Sequence, residues 1–324
     1  MLNRRNFVAG LTASTLASHS LAQADYPSRS IRMLVPFSAG GSPDLMGRLM
    51  AMQLGKQLGQ SVVVDNRLGA NGIVATEALA NAPADGYTLL VTTGSHVINP
   101  SIYRKLPYDT FADFVPIGLL SVAPALTLVV NLNSPAKNIR DFLSMARNPS
   151  GNVSYGSPGT GNTLHLVGEL LNATAGTQML HVPYKGAAPA LSAVMSGEVT
   201  ACFLSTAAAT IAVKNGQVRP LAVTSAQRIG AFPDVPTLAE SGVAGFDYNG
   251  GWIGVLVNAK TPKPILQRLQ TELTKALQVP EVREKFLSWD SPPSSITPDE
   301  FSRFMQSEAD KFARVIKLAN VPLQ

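Results

Sequence analysis

The sequence predicts an α/β protein of two lobes, each a sheet flanked by helices, with a ligand cleft between them. Short apolar strand runs alternate with helical patterns from Ile31 onward, the signature of βαβ units. The alternation runs once over residues 31–92 and starts again at 152, so the theme is repeated. The chain has 324 residues; less a leader of 24, the remaining 300 suit two domains of roughly 150 each. A hydrophobic content of 45% is enough for two cores. Lobe 1 is expected over residues 25–123 and 230–324, and lobe 2 over residues 124–229.

The leader is read first, because it sets the compartment. Residues 1–24 start with the basic stretch Asn3-Arg4-Arg5-Asn6-Phe7, continue through an apolar run, and end in Ala22-Gln23-Ala24 before Asp25. That is the layout of a signal peptide cleaved after Ala24, which addresses the chain to the periplasm. Arg4-Arg5 suggests the twin-arginine route, with Sec export as the alternative. The apolar run is too short to span a bilayer, which takes roughly 20 residues. Without Arg4 and Arg5 the basic count falls from 26 to 24 against 21 acidic residues, leaving a net charge of +3. Charges of both signs are interspersed, so no clustered basic face for nucleic acid is present. Cys202, the single cysteine, lies in an apolar run and reads as a small buried hydrophobe. His96, His165 and His181 show no metal-ligand spacing, and neither metal nor cofactor is expected.

Residues 31–37 read as a first strand. Gly40-Gly41-Ser42-Pro43-Asp44 then opens a helix to about Leu58, with Ser42 as N-cap and Pro43 at the first helical position. Strands follow at 61–64 and 87–92, with a helix ending near Asn81 between them, and a further strand at 125–130 leads into the second unit. There, strands are expected at 152–156, 179–182, 199–203 and 218–224, with helices at about 163–173 and up to Ser196. The last third turns helical: Leu266, Leu269, Leu273 and Leu277 share one face, and Thr297-Pro298-Asp299-Glu300 is a capping box.

Ligands in such sheets bind beyond the carboxyl ends of the strands, so the post-strand loops carry the chemistry. Two of them match in kind. Phe37-Ser38-Ala39-Gly40-Gly41 precedes one helix; Ser157-Pro158-Gly159-Thr160-Gly161-Asn162-Thr163 precedes another. Glycines, hydroxyl donors and an oncoming helix N-terminus together make an anion receptor. A tight turn with its own cap explains either loop alone; the pair, at matching places in two units, favours binding. Thr93 and Ser95 offer hydroxyls at the expected cleft edge, with a polar turn as the alternative. Tyr184 and Lys185 follow another strand, Tyr184 to line the cleft and Lys185 to meet an anion or solvent. Trp252 belongs either at the mouth of the cleft or in the core.

Competing chemistries fail on residues. Gly156 to Thr163 approaches a phosphate-binding loop, but Asn162 stands where the lysine is required. Leu164 replaces the third glycine of a dinucleotide fingerprint. Ser157 is out of register for a G-x-S-x-G elbow, and no carboxylate pair presents itself for acid–base work.

Several motifs together resemble one family. These are Val35-Pro36-Phe37-x-Ala39-Gly40-Gly41-x-x-Asp44, Asn66-Arg67-x-Gly69-Ala70-x-Gly72, Ala84-Asp85-Gly86-Tyr87-Thr88-Leu89 and Gly156-Ser157-x-Gly159-x-Gly161-x-Thr163-x-His165-Leu166. Val182-Pro183-Tyr184-Lys185-Gly186, Leu221-Ala222-Val223-Thr224 and Phe232-Pro233-Asp234-Val235-Pro236-Thr237 follow in order. The chain is similar over nearly its whole mature length to the Bug family, the substrate-binding proteins of tripartite tricarboxylate transporters. The resemblance implies a two-lobed periplasmic binding protein, a monomer, that closes on a small carboxylate without catalysis. It implies contacts from Ser38 to Gly41 on one lobe and Ser157 to Thr163 on the other, with Asp44 and His165 within the motifs. Two integral membrane subunits are the implied partners. A ligand-loaded sensor component is the alternative, and a periplasmic hydrolase a third. The sequence departs from the family at Leu204-Ser205, where an acidic or small residue is frequent; if that position faces the ligand, plain carboxylates rank above amino acids. Ser38 and Ala39 stand where a proline is common, and Asn71 where a glycine is.

Overall fold

Strand β1 (Ile31–Val35) and helix α1 (Ser42–Leu58) open the first unit of the computed structural model, which describes residues 26–246, 248–318 and 321–324. The expected leader lies outside the described residues. The unit continues through β2 (Val62–Asn66), α2 (Ile73–Ala80), β3 (Thr88–Thr93), α3 (Ser95–Ile102) and β4 (Phe114–Val122). The second unit runs through β5 (Leu126–Asn131), α4 (Ile139–Arg147), β6 (Ser154–Ser157), α5 (Thr163–Ala175) and β7 (Leu180–Pro183). It ends with α6 (Ala187–Ser196), β8 (Ala201–Ser205), α7 (Thr206–Lys214) and β9 (Val218–Val223). Then come β10 (Trp252–Asn258), α8 (Lys263–Gln278), α9 (Pro280–Ser288) and α10 (Pro298–Leu318).

Two mixed five-stranded sheets result, one of order β2-β1-β3-β10-β4 and the other β7-β6-β8-β5-β9. In each, three strands run parallel and the next is antiparallel: β10 beside β3 in the first, β5 beside β8 in the second. Parallel strands need crossover helices, and those helices leave every post-strand loop at the same sheet edge. Met33, Val35, Met50, Val91, Val255 and Leu273 bury the first sheet against α1 and α8. Val129, Cys202, Leu204 and Val223 fill one side of the second. A further core cluster includes Ile98, Phe301 and Phe312 from the first lobe and Phe142 and Leu166 from the second, and α10 touches α5 as well as α3.

The chain crosses between sheets twice, after Val122 and before Trp252. At the crossing Ala123 N–H donates to Gly251 O at 3.0 Å. A Cβ on Gly250 would stand 2.5 Å from Ala123 O and 2.7 Å from Ala125 O, so only glycine fits there. The return to the first lobe comes later than the 230 expected from sequence. Leu238 N–H donates to Val223 O and Tyr248 N–H to Thr224 O, and Ile229 and Phe232 are buried against the second sheet. The Thr224 hydroxyl pins this segment: it accepts from Leu126 N–H at 2.8 Å and donates to Tyr248 O at 2.7 Å.

Local chemistry explains the helix ends. Gly41, not Ser42, is the N-cap of α1; Ser42 is the first helical residue, and its hydroxyl serves elsewhere. Asn162 caps α5, its side chain accepting from Leu164 N–H at 2.9 Å. The capping box before α10 is formed reciprocally, Thr297 N–H to Glu300 at 2.7 Å and Glu300 N–H to Thr297 Oγ1 at 3.2 Å.

Candidate functional site

Four helices start at one cavity between the sheets. From the first lobe comes α1, through Gly41, Ser42 and Pro43, with Thr93 at the end of β3 beside it. From the second come α5 through Asn162, Thr163 and Leu164, α6 through Ala187, and α7 through its N-cap Ser205. The cavity measures about 80 Å³. Phe37, Met46, Leu126, Trp252 and Ile253 supply apolar walls, and among the described residues no lining residue carries a charge. Each helix start presents N–H groups without intrahelical acceptors and the positive end of its dipole. These helix starts bring partial positive charge to the wall without a lysine or arginine among its described residues.

The lobes are closed on one another around it. The Ser42 and Ser205 hydroxyls hydrogen-bond across the cleft. Asn162 Nδ2 donates to Ser95 Oγ at 3.0 Å and to Asn71 Oδ1 at 3.4 Å. The Ser38 loop rests on Gly186 at the head of α6.

In the first loop, Asp44 turns back rather than into the cavity. Its carboxylate accepts from Gly40 N–H at 3.0 Å, Asn66 Nδ2 at 2.9 Å and Arg48 Nε at 2.9 Å. Burial alone would raise its pKa; the hydrogen bonds from Arg48, Gly40 and Asn66 and the Arg48 charge outweigh burial and hold it below the usual carboxylate value. In the second loop, Ser157 Oγ lies 2.6 Å from His181 Nε2 and accepts from Gly159 N–H at 3.2 Å. Gly161 N–H donates to His165 Nδ1 at 3.1 Å, which places the neutral ring's proton on Nε2. The two imidazoles pack on each other at a tilt of 34°, centroids 3.9 Å apart, beside Tyr155, whose hydroxyl donates to Glu169 at 2.6 Å. This layer lies behind the loop and sets its shape.

The sequence matches the profile described as "Tripartite tricarboxylate transporter family receptor" over residues 46–321. The chain belongs to this family. It is 33% identical to Protein BugT of Bordetella pertussis over 98% of both chains. The structure of periplasmic binding protein BugD superposes at a TM-score of 0.88 with 31% identity, covering 92% of this chain and all of that one. R. palustris Rpa4515, solved with adipate, superposes at 0.88 with 33% identity, covering 93% of this chain and all of that one. The protein is a solute-binding receptor with the two-sheet architecture of these binding proteins.

Of the residues singled out in the sequence, the receptor brings Phe37, Gly41, Thr93, Asn162, Thr163 and Ser205 to the cavity wall. Ser38, Gly159 and Thr160 sit beside it half-buried, Ala39 and Gly40 are exposed, and Ser95, Ser157 and Gly161 are buried behind it. Five others lie off the wall. Asp44 and His165 brace their loops from behind. Leu204 points into the second lobe's core, because alternate residues of β8 face opposite sides and Ser205 takes the cavity side. Tyr184 turns outward to Glu198 at 2.7 Å, and Lys185 is exposed. The wall also holds Met46, Ser121, Leu126, Ile253 and Ser291, which sequence reasoning passed over. Met46 shares the apolar stripe of α1; Ser121 and Ile253 lie on β4 and β10, strands the sequence did not announce. Trp252 is both wall and core, 1% exposed and edge-on to Phe301.

The buried imidazoles give the receptor an acid-sensitive stability. Burial lowers the pKa of His165 to about 4; burial and the neighbouring His165 lower that of His181 to about 3. Both are neutral in the fold and protonate in the unfolded chain near the ordinary histidine value of 6.5. Their contribution is complete above that value and is lost as pH falls toward 4, at about 1.4 kcal/mol per pH unit for each ring. Thermal unfolding followed from pH 7 to 4 should show this slope, and His181→Gln should make it shallower. An identical slope in the variant would remove His181 from the account.

Proposed function

We propose that this receptor captures a small carboxylate-bearing solute in the periplasm and hands it to the integral membrane subunits of a tripartite tricarboxylate-type transporter. The observation that carries the reading is the convergence of four helix N-termini on one cavity with no charged residue among its described lining. In this reading the carboxylate sits between the starts of α1 and α5, taking N–H groups from each, with the Ser205 hydroxyl and the α7 terminus beside it. Contact from both lobes makes the closed form the ligand-bearing one, and the protein acts as a monomer. The adipate in Rpa4515 supports a carboxylate as cargo. The leader read at residues 1–24 supports export, by the twin-arginine or the Sec route, and among the described residues no helix is long and apolar enough to cross a membrane. Turnover forms no part of the reading. Ser157 and His181 are at hydrogen-bond distance, yet Ser157 has no exposed surface and its oxygen is held by its own loop.

Cells with and without the gene, compared for uptake of labelled carboxylates, test it. Loss of uptake of one carboxylate, with the protein recovered in osmotic-shock fluid, is expected. Undiminished uptake of every carboxylate that the purified receptor binds would contradict a transport role.

A further inference from the structure

The tip of the second loop rests on the first lobe, and three side-chain amides make the joint. Asn162 Oδ1 is committed to its own helix, where it accepts from Leu164 N–H at 2.9 Å, so its Nδ2 is presented across the cleft. That group donates to Ser95 Oγ at 3.0 Å and to Asn71 Oδ1 at 3.4 Å, both on the first lobe. Asn71 is aimed in turn by Asn99, which lies one turn along α3 from Ser95. Asn71 Nδ2 donates to Asn99 Oδ1 at 2.9 Å, and Asn99 Nδ2 returns to Asn71 O at 3.3 Å. Asn71 and Asn162 thus each have one end of the amide fixed within their own lobe and the other end turned to the opposite one. All four residues are buried. Asn71 holds a left-handed backbone, φ 51° and ψ 37°, in the short turn Ala70–Gly72, and its Nδ2 stands 3.4 Å from where a Cβ on Gly161 would be.

We infer that Asn71, held by Asn99, is a positioning residue for solute capture: it latches the Gly161-Asn162 tip of the second lobe to the first and favours the closed form. Asn71 and Asn99 take no part in the cavity wall, whereas Asn162, Thr163 and Leu164 do. The effect on the solute therefore passes through Asn162, whose side chain caps the start of α5. When the lobes part, Asn71 Oδ1 and Asn162 Nδ2 exchange each other for water, and the exchange leaves a modest net preference for the closed pair. Without the Asn71 side chain, closure buries the Asn162 amide short of an acceptor, which adds to the penalty on the closed form. Both lobes build the cavity, so affinity for any solute falls with the fraction of closed protein. The inference rests on the two-lobed receptor and not on the chemistry of its cargo.

Single-molecule fluorescence transfer on the ligand-free receptor tests the latch. Dyes are attached through Met52→Cys on α1 and Met195→Cys on α6, exposed positions on two helices that begin on either side of the cleft at Gly41 and Ala187. Cys202 has no exposed surface and stays unlabelled. Asn71→Gly removes the latch and suits the turn, since φ 51° is open to glycine without strain. The ratio of closed to open molecules should fall by about tenfold against the labelled parent, with both sheets still folded. A substitution on the other lobe separates a latch from local packing in the Ala70–Gly72 turn. Asn162→Ser keeps a cap oxygen for Leu164 N–H but carries no amide to reach Asn71. It should open the lobes by itself, and Asn71→Gly added to it should open them no further. An unchanged ratio in Asn71→Gly, or effects of the two substitutions that simply add, would overturn the inference while leaving the carboxylate reading untouched.

Discussion

Replacing Gly186 with alanine should abolish tight ligand binding while both sheets stay folded. Gly186 is the N-cap of α6 and has φ +144° and ψ 172°, a backbone conformation open essentially to glycine alone. It also forms the seat on which the first lobe's loop closes. A methyl group there would stand 2.2 Å from Ser38 Oγ, 3.0 Å from Ser38 Cβ and 3.1 Å from Ser38 N. Local strain costs on the order of 1–3 kcal/mol and falls on one lobe only. The steric conflict falls between the lobes and is relieved by keeping them apart. Opening them separates the starts of α1 and α5, so the anion loses donors from one side. Calorimetric titration with the tightest-binding carboxylate should show affinity reduced by about 100-fold or more, the loss expected when a ligand is gripped from one side only. Small-angle scattering should report a larger radius for the variant. Adding Ser38→Gly removes the nearest atom of the clash and should restore part of the affinity, a coupling that independent sites would not show. Unchanged affinity in Gly186→Ala would mean that closure at this seat plays no part in binding.

Gly168→Ala should be strongly destabilising to the second lobe. Gly168 lies on α5, directly over the Tyr155 ring. An added Cβ would meet Tyr155 carbons at 2.3 and 2.4 Å and its hydroxyl at 2.8 Å. Tyr155 has no exposed surface, and its ring centre lies 5.1 Å from that of His181, which in turn holds Ser157. The ring therefore cannot yield without displacing the layer that shapes the second loop. Overpacking of a well-filled core costs about 1–3 kcal/mol and occasionally more, and the backbone-anchored contact here belongs at the upper end. A fall in Tm of roughly 5–10 °C follows for a protein of this size, with weaker ligand binding because the Gly161 and Asn162 geometry shifts with the ring. An unaltered Tm would show that the Tyr155 layer accommodates the methyl freely.

What the sequence disclosed was whatever is written locally. The two strand-to-helix loops could be read because glycine, proline and hydroxyl residues cluster where a strand hands over to a helix. The rest depends on pairing at long range. Strand β10 is inserted between β3 and β4 from more than a hundred residues away, and nothing in Trp252-Ile253-Gly254-Val255 names those partners. With β10 and β4 unread, the apolar half of the cavity was invisible, since Ser121, Trp252 and Ile253 come from those strands. Helix α3 was hidden by Pro100 within it, which reads as a break. Leu204 and Ser205 show the cost of one residue of parity: they are neighbours in sequence and face opposite sides of a sheet. Asp44 was placed correctly at a helix start, but its direction is set by Arg48 and Asn66, and Asn66 lies on another strand.

The most direct measurement is a crystal structure of the receptor grown with its tightest-binding carboxylate. The account predicts closed lobes and carboxylate oxygens within about 3.2 Å of N–H groups at the starts of both α1 and α5, with the body of the molecule against Met46, Leu126 and Trp252. A carboxylate held by one lobe alone, or lying outside the cavity where the four helices begin, would contradict it.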